Sequence, residues 1–333
     1  MNILLTGGTG YIGSHTAVEL SQQGHNVFLY DSLVNSTDDV IEKLLQITGV
    51  KCSLVIVDVR DTGKLINTLK SQNIDAVLHF AGLKSVGESV DDPIKYYENN
   101  VQGSITLLQA MQSVGIKHLV FSSSATVYGE PKYLPLDENH PTGATNPYCR
   151  TKLHIKEMLS DIFRSDPTWH IICLRYFNPV GAHESGLIGE NRKGVPNNLM
   201  PYIAQVAEGK RTELSVFGSD YATPDGIGVR DQIHVMDLAE GHAAELSYLS
   251  KSTGCHAINL GTGNGYSVLE VVSAFKKASG RDVPYRLVSR RSGDVAICYA
   301  EPRKANELLN WNARRGLERM CADVWHQQLK TDS

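Results

Sequence analysis

The sequence has no apolar run that approaches the ~20 residues of a membrane span. Its N-terminus passes directly into Ile3-Leu4-Leu5 and a glycine-rich turn, without the basic segment and longer apolar stretch of a signal peptide. These two absences predict a cytoplasmic protein that has no membrane partner.

Charged residues and cysteines form no pattern either. The formal net charge of the 333 residues is −4 and the two signs are interspersed, so nucleic acid is not expected as a partner. The six cysteines are scattered without a Cys-x-x-Cys pair, which predicts reduced thiols and no metal site. With 41% hydrophobic residues and no repeat, the chain is expected to form one large α/β unit or two unequal domains.

Short apolar runs that do not alternate with polar residues recur in the first half of the chain. Such runs are typical of strands covered on both faces, as in a parallel sheet. Segments with helical spacing lie between them, and this alternation implies right-handed βαβ crossovers and a Rossmann-like, doubly wound α/β fold. The predicted strands are 2–5, 27–30, 54–57, 76–80, 119–121 and 171–174, and the predicted helices are 14–23, 64–71, 103–114 and 148–163.

The pattern changes after Asn178, where glycine and proline crowd a stretch with little periodicity. A helix-like piece, 198–208, and a second loop, 218–228, follow it, as in a substrate-binding insert. We predict that residues 1–178, with returning segments near 230–260, form a dinucleotide-binding domain. Residues 179–229 and 261–330 then form a smaller α/β substrate domain.

Residues 6–13, TGGTGYIG, follow the first predicted strand and open a helix. The glycines fit both G-x-G-x-x-G and G-x-x-G-x-x-G. Such a turn lets a pyrophosphate approach the backbone, and the free N–H groups at the start of the helix bind it. Because the turn lies between a strand and a helix and precedes a second strand, it predicts a dinucleotide site. The predicted contacts are Gly7, Gly10, Tyr11, Ile12 and Gly13.

Asp31 ends the second predicted strand, where a carboxylate accepts hydrogen bonds from the adenosine ribose and repels a 2′-phosphate. No Arg or Lys among residues 32–37 counters it, so NAD is preferred over NADP. Asp58 ends the third predicted strand. It either reaches the adenine amine or caps a helix together with Asp61, and both interpretations stay open.

Tyr148 and Lys152 lie four residues apart, on one face of a predicted helix. A phenol is a poor base at neutral pH, but a nearby ammonium and a positive nicotinamide lower its pKa. Lys152 is also placed to hold the nicotinamide ribose. Ser124, just past a strand, is placed to hydrogen-bond the reacting oxygen. This combination predicts Ser124, Tyr148 and Lys152 as catalytic residues and hydride transfer at a substrate hydroxyl.

Long segments of the chain resemble the UDP-glucose 4-epimerase family of the extended short-chain dehydrogenase/reductase superfamily, over essentially the whole length. The segments are TGGTGYIGSHT (6–16), HFAGLKSVGES (79–89), FSSSATVYG (121–129), LRYFNPVGAH (174–183), PNNLMPYIAQVA (196–207), GVRDQIHVMDLA (228–239), NLGTG (259–263) and RRSGD (290–294). The resemblance implies an isomerase with tightly held NAD. Hydride leaves C4 of the hexose, the 4-keto sugar rotates about the diphosphate, and hydride returns to the opposite face.

The resemblance also assigns contacts by position. Cofactor contacts beyond those of the glycine turn are assigned to Asp31, Asn35, Asp58, Val59, Phe80, Ala81, Lys84, Asn99, Tyr148, Lys152 and Phe177. UDP-sugar contacts are assigned to Lys84, Ser124, Tyr148, Asn178, Asn198, Leu199, Phe217, Arg230, Arg291, Asp294 and Cys298. Two guanidinium groups suit a diphosphate.

Further expectations come from the same resemblance. A homodimer is implied. A tyrosine at position 298 fills the space into which a 2-acetamido group swings, and Cys298 leaves that space free, so UDP-GlcNAc and UDP-GalNAc are expected substrates beside UDP-glucose and UDP-galactose. The chain departs from the family at Gln232, where Tyr is frequent, and at residues 149–151, where Gly-Lys-Ser is frequent. Neither departure removes a catalytic group.

Three alternatives remain. A sugar-nucleotide 4,6-dehydratase resembles this fold but carries Asp-Glu before Val-Tyr-Gly, where this chain has Ala125-Thr126. A UDP-uronate 4-epimerase requires recognition of the sugar carboxylate. A non-catalytic NAD-binding regulator is expected to lose Ser124, Tyr148 or Lys152, and all three are present.

Overall fold

A computed structural model describes residues 1–190, 198–249, 253–291 and 293–331. Residues 196–197 and Ser292, which belong to two of the family-like segments, therefore lie outside the described residues. The strands within these ranges are β1 (Asn2–Thr6), β2 (Asn26–Asp31), β3 (Ser53–Ile56), β4 (Ala76–His79), β5 (His118–Ser122), β6 (His170–Tyr176), β7 (Asn178–Val180), β8 (Leu214–Phe217), β9 (Val229–His234), β10 (Gly254–Leu260), β11 (Gly265–Ser267), β12 (Tyr285–Val288) and β13 (Ile297–Cys298).

The helices alternate with these strands in the first half and become denser towards the end. They are α1 (Tyr11–Gln22), α2 (Val40–Thr48), α3 (Thr62–Ser71), α4 (Val86–Asp91), α5 (Pro93–Tyr96), α6 (Gly103–Val114), α7 (Pro147–Ser165), α8 (Leu199–Ala207), α9 (Val235–Leu249), α10 (Val268–Ser279), α11 (Arg303–Leu309) and α12 (Leu317–Thr331). A π-helical turn, Tyr97–Gln102, joins α5 to α6. None of the described helices has the length and apolar character needed to cross a membrane.

Seven parallel strands form the main sheet, in the order β10-β6-β5-β4-β1-β2-β3. This order confirms the predicted doubly wound fold, with its switch between β1 and β4. Both faces of the sheet are buried, which explains why its strands read as continuous apolar runs. One face packs on α1, α2, α9 and α11. The other packs on α3, α6 and α7.

The chain after β6 builds a second layer and also returns to the first sheet. A third apolar cluster joins α8, α10 and α12 to β8. Strand β10 pairs with β6, and α9 packs on α1 and β6, so two late segments complete the main sheet. A backbone bridge joins Leu136 to Ala300 across the two parts. The predicted division into two domains stays a prediction, because the parts interleave.

Helix and strand boundaries differ from the predicted ones by a few residues. The predicted helix 14–23 begins three residues earlier, at Tyr11, because the glycine turn itself starts the helix. The predicted helix 148–163 begins at Pro147, a residue that is preorganised for the first helical position. Asn146 caps this helix by accepting a hydrogen bond from the Cys149 backbone N–H at 3.0 Å.

Glu245 of α9 is fully buried, and neither carboxyl oxygen has a hydrogen-bond partner among the described residues. Burial therefore raises the pKa of this carboxyl well above its ordinary value. The folded protein keeps the proton while the unfolded chain releases it, so the carboxyl lowers stability increasingly as the pH rises above about 4.5. Glu245→Met is expected to raise the free energy of unfolding at pH 7 by about 1–3 kcal/mol.

Denaturant unfolding of the wild type and the variant at pH 5 and pH 7 measures this effect. The gain is expected to be larger at pH 7. Glu240 lies on the same helix, is about a quarter exposed and pairs with Arg315 at 2.8 Å. Glu240→Gln is the matched control and is expected to bring no gain. A lower free energy of unfolding in Glu245→Met than in the wild type would show that the buried carboxyl stabilises the folded protein.

Candidate active site

An open cleft of about 420 Å³ lies at the carboxyl ends of the central strands. This is where ligands bind in open parallel sheets, and the volume is in the range of ligand pockets. Every predicted cofactor contact lines it: Gly7, Gly10, Tyr11, Ile12, Gly13, Asp31, Asn35, Asp58, Val59, Phe80, Ala81, Lys84, Asn99, Tyr148, Lys152 and Phe177. The structure thus brings together residues that are widely separated in the sequence.

The glycine turn fits a dinucleotide pyrophosphate. Gly7 has a φ of +69°, and a Cβ there would lie 2.7 Å from the Ala81 backbone nitrogen. A Cβ on Gly13 would lie 2.5 Å from the Gly7 carbonyl oxygen, so glycine is needed for the close packing of α1 on the turn. Helix α1 has no capping side chain at Gly10 and no acidic residue in its first turn. Its first N–H groups are therefore available to a phosphate.

Asp31 is oriented by its own loop. One carboxylate oxygen accepts the Thr9 backbone N–H at 3.1 Å, and the other accepts the Leu33 backbone N–H at 2.9 Å. Ser36 donates a longer hydrogen bond to the carboxylate at 3.5 Å. A carboxylate has about four acceptor positions, so Asp31 keeps capacity for ribose hydroxyls. The arrangement fits the NAD preference that the sequence predicts.

The side chain of Asp58 also makes hydrogen bonds, and these bear on the two roles that the sequence left open for it. Asp61 alone caps α3, by accepting the Lys64 backbone N–H at 2.9 Å. The Asp58 carboxylate instead accepts two hydrogen bonds from the Arg60 guanidinium, at 2.8 and 2.9 Å, and these lower the pKa of Asp58. Asp58 lines the cleft but makes no helix cap. Its predicted contact with adenine stays a prediction.

Ser124, Tyr148 and Lys152 are brought together at the centre of the cleft, each less than a tenth exposed. Tyr148 and Lys152 share one face of the first turns of α7, and Ser124 follows β5. The Lys152 ammonium donates to the Ser122 carbonyl at 2.7 Å and lies 4.9 Å from the Phe121 ring centre. Lys152 is therefore held by the end of β5.

Burial dominates the ionisation of both catalytic candidates. It raises the pKa of the Tyr148 phenol above its ordinary value, while a hydrogen bond with Ser124 acts in the opposite direction. Burial lowers the pKa of the Lys152 ammonium to about 8. The Lys152 ammonium is bound to the Ser122 carbonyl, and its predicted lowering of the Tyr148 pKa stays a prediction. Tyr148 also lies in the first turn of α7, where the helix dipole favours a phenolate.

The predicted substrate contacts fall into two groups. Lys84, Ser124, Tyr148, Asn178 and Asn198 line the cleft. Six others do not line it and lie in the second layer of the molecule: Leu199, Phe217, Arg230, Arg291, Asp294 and Cys298. Leu199 is the first residue of α8, directly after the cleft residue Asn198. The described structure therefore joins only the first group directly to the catalytic residues.

Two of the arginines in the second layer hold ordered positions. Arg291 stacks over the Phe217 ring, 3.7 Å from its centre. Arg230 donates to the carbonyl oxygens of Val229 and Ala296 at 2.9 and 3.4 Å. Both guanidinium groups keep further N–H donors, since each carries five.

Cys298 pairs in register with Arg230, on neighbouring strands β13 and β9. Its thiol packs on the apolar cluster that contains Phe177, and Phe177 lines the cleft. Burial raises the pKa of this thiol to about 11, so it is neutral. Behind Arg230, the buried Asp231 carboxylate accepts backbone N–H groups from Thr262 and Ala300, and it thereby fixes the turn beside β13.

Sequence reasoning missed some residues of the cleft. Tyr176 lines it and its hydroxyl hydrogen-bonds with the Ser122 hydroxyl at 2.6 Å. Thr126 donates to the Ser124 hydroxyl at 3.0 Å. Glu190 lines the cleft and binds Lys84. Tyr176 and Thr126 lie in family-like segments without an assigned contact, Glu190 lies outside those segments, and the folded arrangement is what identifies all three as cleft residues. Among the described residues, no group of three or more His, Cys, Asp or Glu side chains is arranged to hold a metal ion.

The family described as GDP-mannose 4,6 dehydratase matches residues 4–324. The chain is 55% identical to the UDP-glucose 4-epimerase of Bacillus subtilis over 328 residues, which are 98% of this chain and 97% of that relative. Ala125 and Thr126 supply neither of the acidic groups expected of a dehydratase at this position. The matching family is described as a dehydratase family. Within it, this sequence is similar to an epimerase and lacks the acidic residues expected of a dehydratase.

Solved structures agree with this placement. UDP-glucose-4-epimerase from Stenotrophomonas maltophila, with bound NAD and formylated UDP-arabinopyranose, has a TM-score of 0.98 at 51% identity and covers 100% of this chain and 99% of its own. UDP-glucose 4-epimerase from Bifidobacterium longum, in complex with NAD⁺ and UDP, has a TM-score of 0.97 at 49% identity with the same coverage. These comparisons confirm the predicted fold and enzyme class, and together with the cleft they place this chain in the UDP-glucose 4-epimerase family.

Proposed function

We propose that the cleft interconverts UDP-glucose and UDP-galactose by inverting C4 of the hexose through a transient 4-keto sugar. The observation that carries this proposal is the burial of Ser124, Tyr148 and Lys152 together in the cleft that also contains the glycine turn. NAD held by the glycine turn and Asp31 would supply the hydride acceptor and donor for C4 and, in its oxidised form, a positive charge that favours a phenolate at Tyr148.

The protein's own groups move the proton. The Tyr148 hydroxyl takes the proton of the sugar 4-OH and later returns it. Ser124 hydrogen-bonds with Tyr148 and is placed to hold the reacting oxygen. Lys152, fixed by the Ser122 carbonyl, adds positive charge near the base and is placed to hold the nicotinamide ribose. Burial of all three excludes water from the step.

The residues proposed to bind the uridine diphosphate part of the substrate lie in the later part of the chain. Asn178 and Asn198 line the cleft, and Arg230 and Arg291 belong to the part of the chain that follows them. In this proposal the two arginines bind the diphosphate, and Leu199, Phe217 and Asp294 complete the UDP site. The main sheet then acts as the NAD-binding domain, and residues 179–229 and 261–330 act as the UDP-sugar domain.

Substrate range is the finer part of the proposal. Cys298 packs against the apolar cluster that contains Phe177, and Phe177 forms part of the cleft wall. A thiol at this position leaves room for a 2-acetamido group when the 4-keto sugar rotates. UDP-GlcNAc and UDP-GalNAc are therefore proposed substrates beside UDP-glucose and UDP-galactose.

A homodimer and a cytoplasmic location complete the proposal. Val86, Val90 and Ile94 follow one another at four-residue spacing and are 44%, 60% and 70% exposed. Val86 and Val90 lie on α4 and Ile94 lies on α5, and exposed apolar side chains on two neighbouring helices suit a second copy of the chain, which supports the implied homodimer. All six cysteines are free thiols, which suits a reducing compartment.

NAD is expected to remain with the protein through purification, since the proposed reaction never releases it. Acid denaturation of the purified protein, followed by enzymatic assay of the supernatant, measures the nucleotide. We expect NAD(H) in near-stoichiometric amount. Recovery of mainly NADP(H), or of no nucleotide, would overturn the cofactor assignment.

The activity itself is tested by incubating the protein with UDP-galactose and measuring UDP-glucose through a coupled dehydrogenase. UDP-glucuronate and UDP-GalNAc are assayed in parallel. Product from UDP-galactose supports the proposal. Product from UDP-glucuronate alone would favour a UDP-uronate 4-epimerase, and release of water to give a 4-keto-6-deoxy sugar would favour a 4,6-dehydratase.

A further inference from the structure

Glu190 lies where the two sides of the cleft meet. Its side chain is 11% exposed and lines the cleft. One carboxylate oxygen, Oε1, accepts the Lys84 ammonium at 2.9 Å and the Asn198 side-chain amide at 2.5 Å. Lys84 belongs to the loop after β4, whereas Asn198 is the N-cap residue of α8. A single oxygen thus joins the first sheet to the second layer.

The position is electrostatically unusual for a phosphate-binding cleft. A carboxylate near nucleotide phosphates is unfavourable unless a cation neutralises it, and Lys84 supplies that cation. Burial raises the pKa of Tyr11 in the glycine turn, and the charge of Glu190 adds to this rise. The Tyr11 hydroxyl donates to the Gly181 carbonyl, at the start of the loop that leads to Glu190. Glu190 is therefore placed between the predicted cofactor and UDP-sugar contacts.

We propose that Glu190 is a positioning residue for UDP-sugar binding: its carboxylate holds Lys84 and Asn198 in register across the cleft. This rests on the proposed function, in which both partners contact ligands. Glu190 itself touches no reacting atom. Fixing the two side chains before the substrate arrives reduces the freedom lost on binding, so the effect falls on affinity and not on the chemical step. A carboxylate that only blocked the cleft would have the opposite effect, because its removal would strengthen binding.

The test compares Glu190→Ala with Glu190→Gln. The amide of Gln keeps an acceptor oxygen for Lys84 and Asn198, and the Ala variant loses it. We expect Glu190→Ala to weaken UDP binding and raise KM by about tenfold, the effect of one charge-assisted hydrogen bond, with kcat nearly unchanged. Glu190→Gln is expected to recover most of the affinity. UDP binding is measured by calorimetry and turnover with UDP-galactose.

Glu184→Ala is the matched control. Glu184 lies in the same loop, is 76% exposed and pairs only with Arg319 among the described residues, at 3.3 Å. This variant is expected to behave as the wild type. The double variant Lys84→Met/Glu190→Ala should lose less affinity for UDP than the two single variants added together, since Lys84 and Glu190 share one contact.

Tighter or unchanged UDP binding in Glu190→Ala would overturn the proposal. Equal loss of affinity in the Ala and Gln variants would do so as well, since the shared acceptor would then be irrelevant. Failure of the proposed epimerase function is detected by a different measurement. In that case the wild type gives no product from UDP-galactose, whereas the calorimetric comparison of UDP binding still tests Glu190.

Discussion

Tyr148→Phe is expected to lower the turnover of UDP-galactose by about 10²–10⁴-fold, the usual effect of removing a general base. The phenyl ring keeps the packing of the buried side chain and removes only the hydroxyl that takes the 4-OH proton. The dissociation constant for UDP, measured by calorimetry, is expected to stay close to the wild-type value. The NAD content should also be unchanged.

Tyr176→Phe is the matched control for this variant. Tyr176 lines the same cleft, but its hydroxyl hydrogen-bonds with the Ser122 hydroxyl and not with Ser124. Its removal should cost less than about tenfold in turnover, the effect of one neutral hydrogen bond. A Tyr148→Phe variant that keeps a near wild-type rate would mean that another group takes the proton.

Cys298→Tyr is expected to abolish most epimerisation of UDP-GalNAc and to keep that of UDP-galactose. The thiol packs against the apolar cluster that contains the cleft residue Phe177, and a phenol ring at this position is expected to fill the space needed by the acetamido group. Forcing extra atoms into a packed site costs ~1–3 kcal/mol or more, which amounts to about 5–150-fold in rate. Parallel coupled assays with the two sugar nucleotides measure the selectivity.

Cys298→Ser tests whether size or chemistry matters at this position. Serine is no larger than cysteine, so both activities are expected to persist in this variant. Equal loss of both activities in Cys298→Tyr would mean that the tyrosine disturbs the whole site. An absence of UDP-GalNAc turnover in the wild type would remove the basis for the proposed gate.

The first half of the fold was predictable because its signals are local. Strands β1 to β6 are apolar on both faces, and the glycine turn identifies the cofactor end without any tertiary information. Helix α6 was predicted at its observed bounds, Gly103–Val114, since Gly115 ends it in the left-handed conformation. Ser124, Tyr148 and Lys152 could be predicted to lie together because the spacing on α7 and the position after β5 are both visible in the sequence, and their catalytic role stays a prediction.

The remaining details of the site depend on the folded arrangement of the chain. The position of the Lys152 ammonium on the Ser122 carbonyl depends on how α7 packs against β5, which spacing alone does not determine. The Asp58–Arg60 pair is local but competes with an equally local helix cap, so only the folded turn decides between them. Glu190 carries no motif, and its partners lie 106 and eight residues away in the chain.

The interleaving of the main sheet has a consequence for synthesis on the ribosome. When β6 has emerged, the sheet still ends in an unpaired strand, because β10 follows almost eighty residues later. The face of α1 that α9 covers is exposed until α9 has emerged, shortly before β10. An open strand edge and an apolar helix face invite association with other chains. The nascent protein therefore passes through a stage at which its cofactor-binding half is nearly formed but still needs protection, and that stage ends only with the arrival of β10.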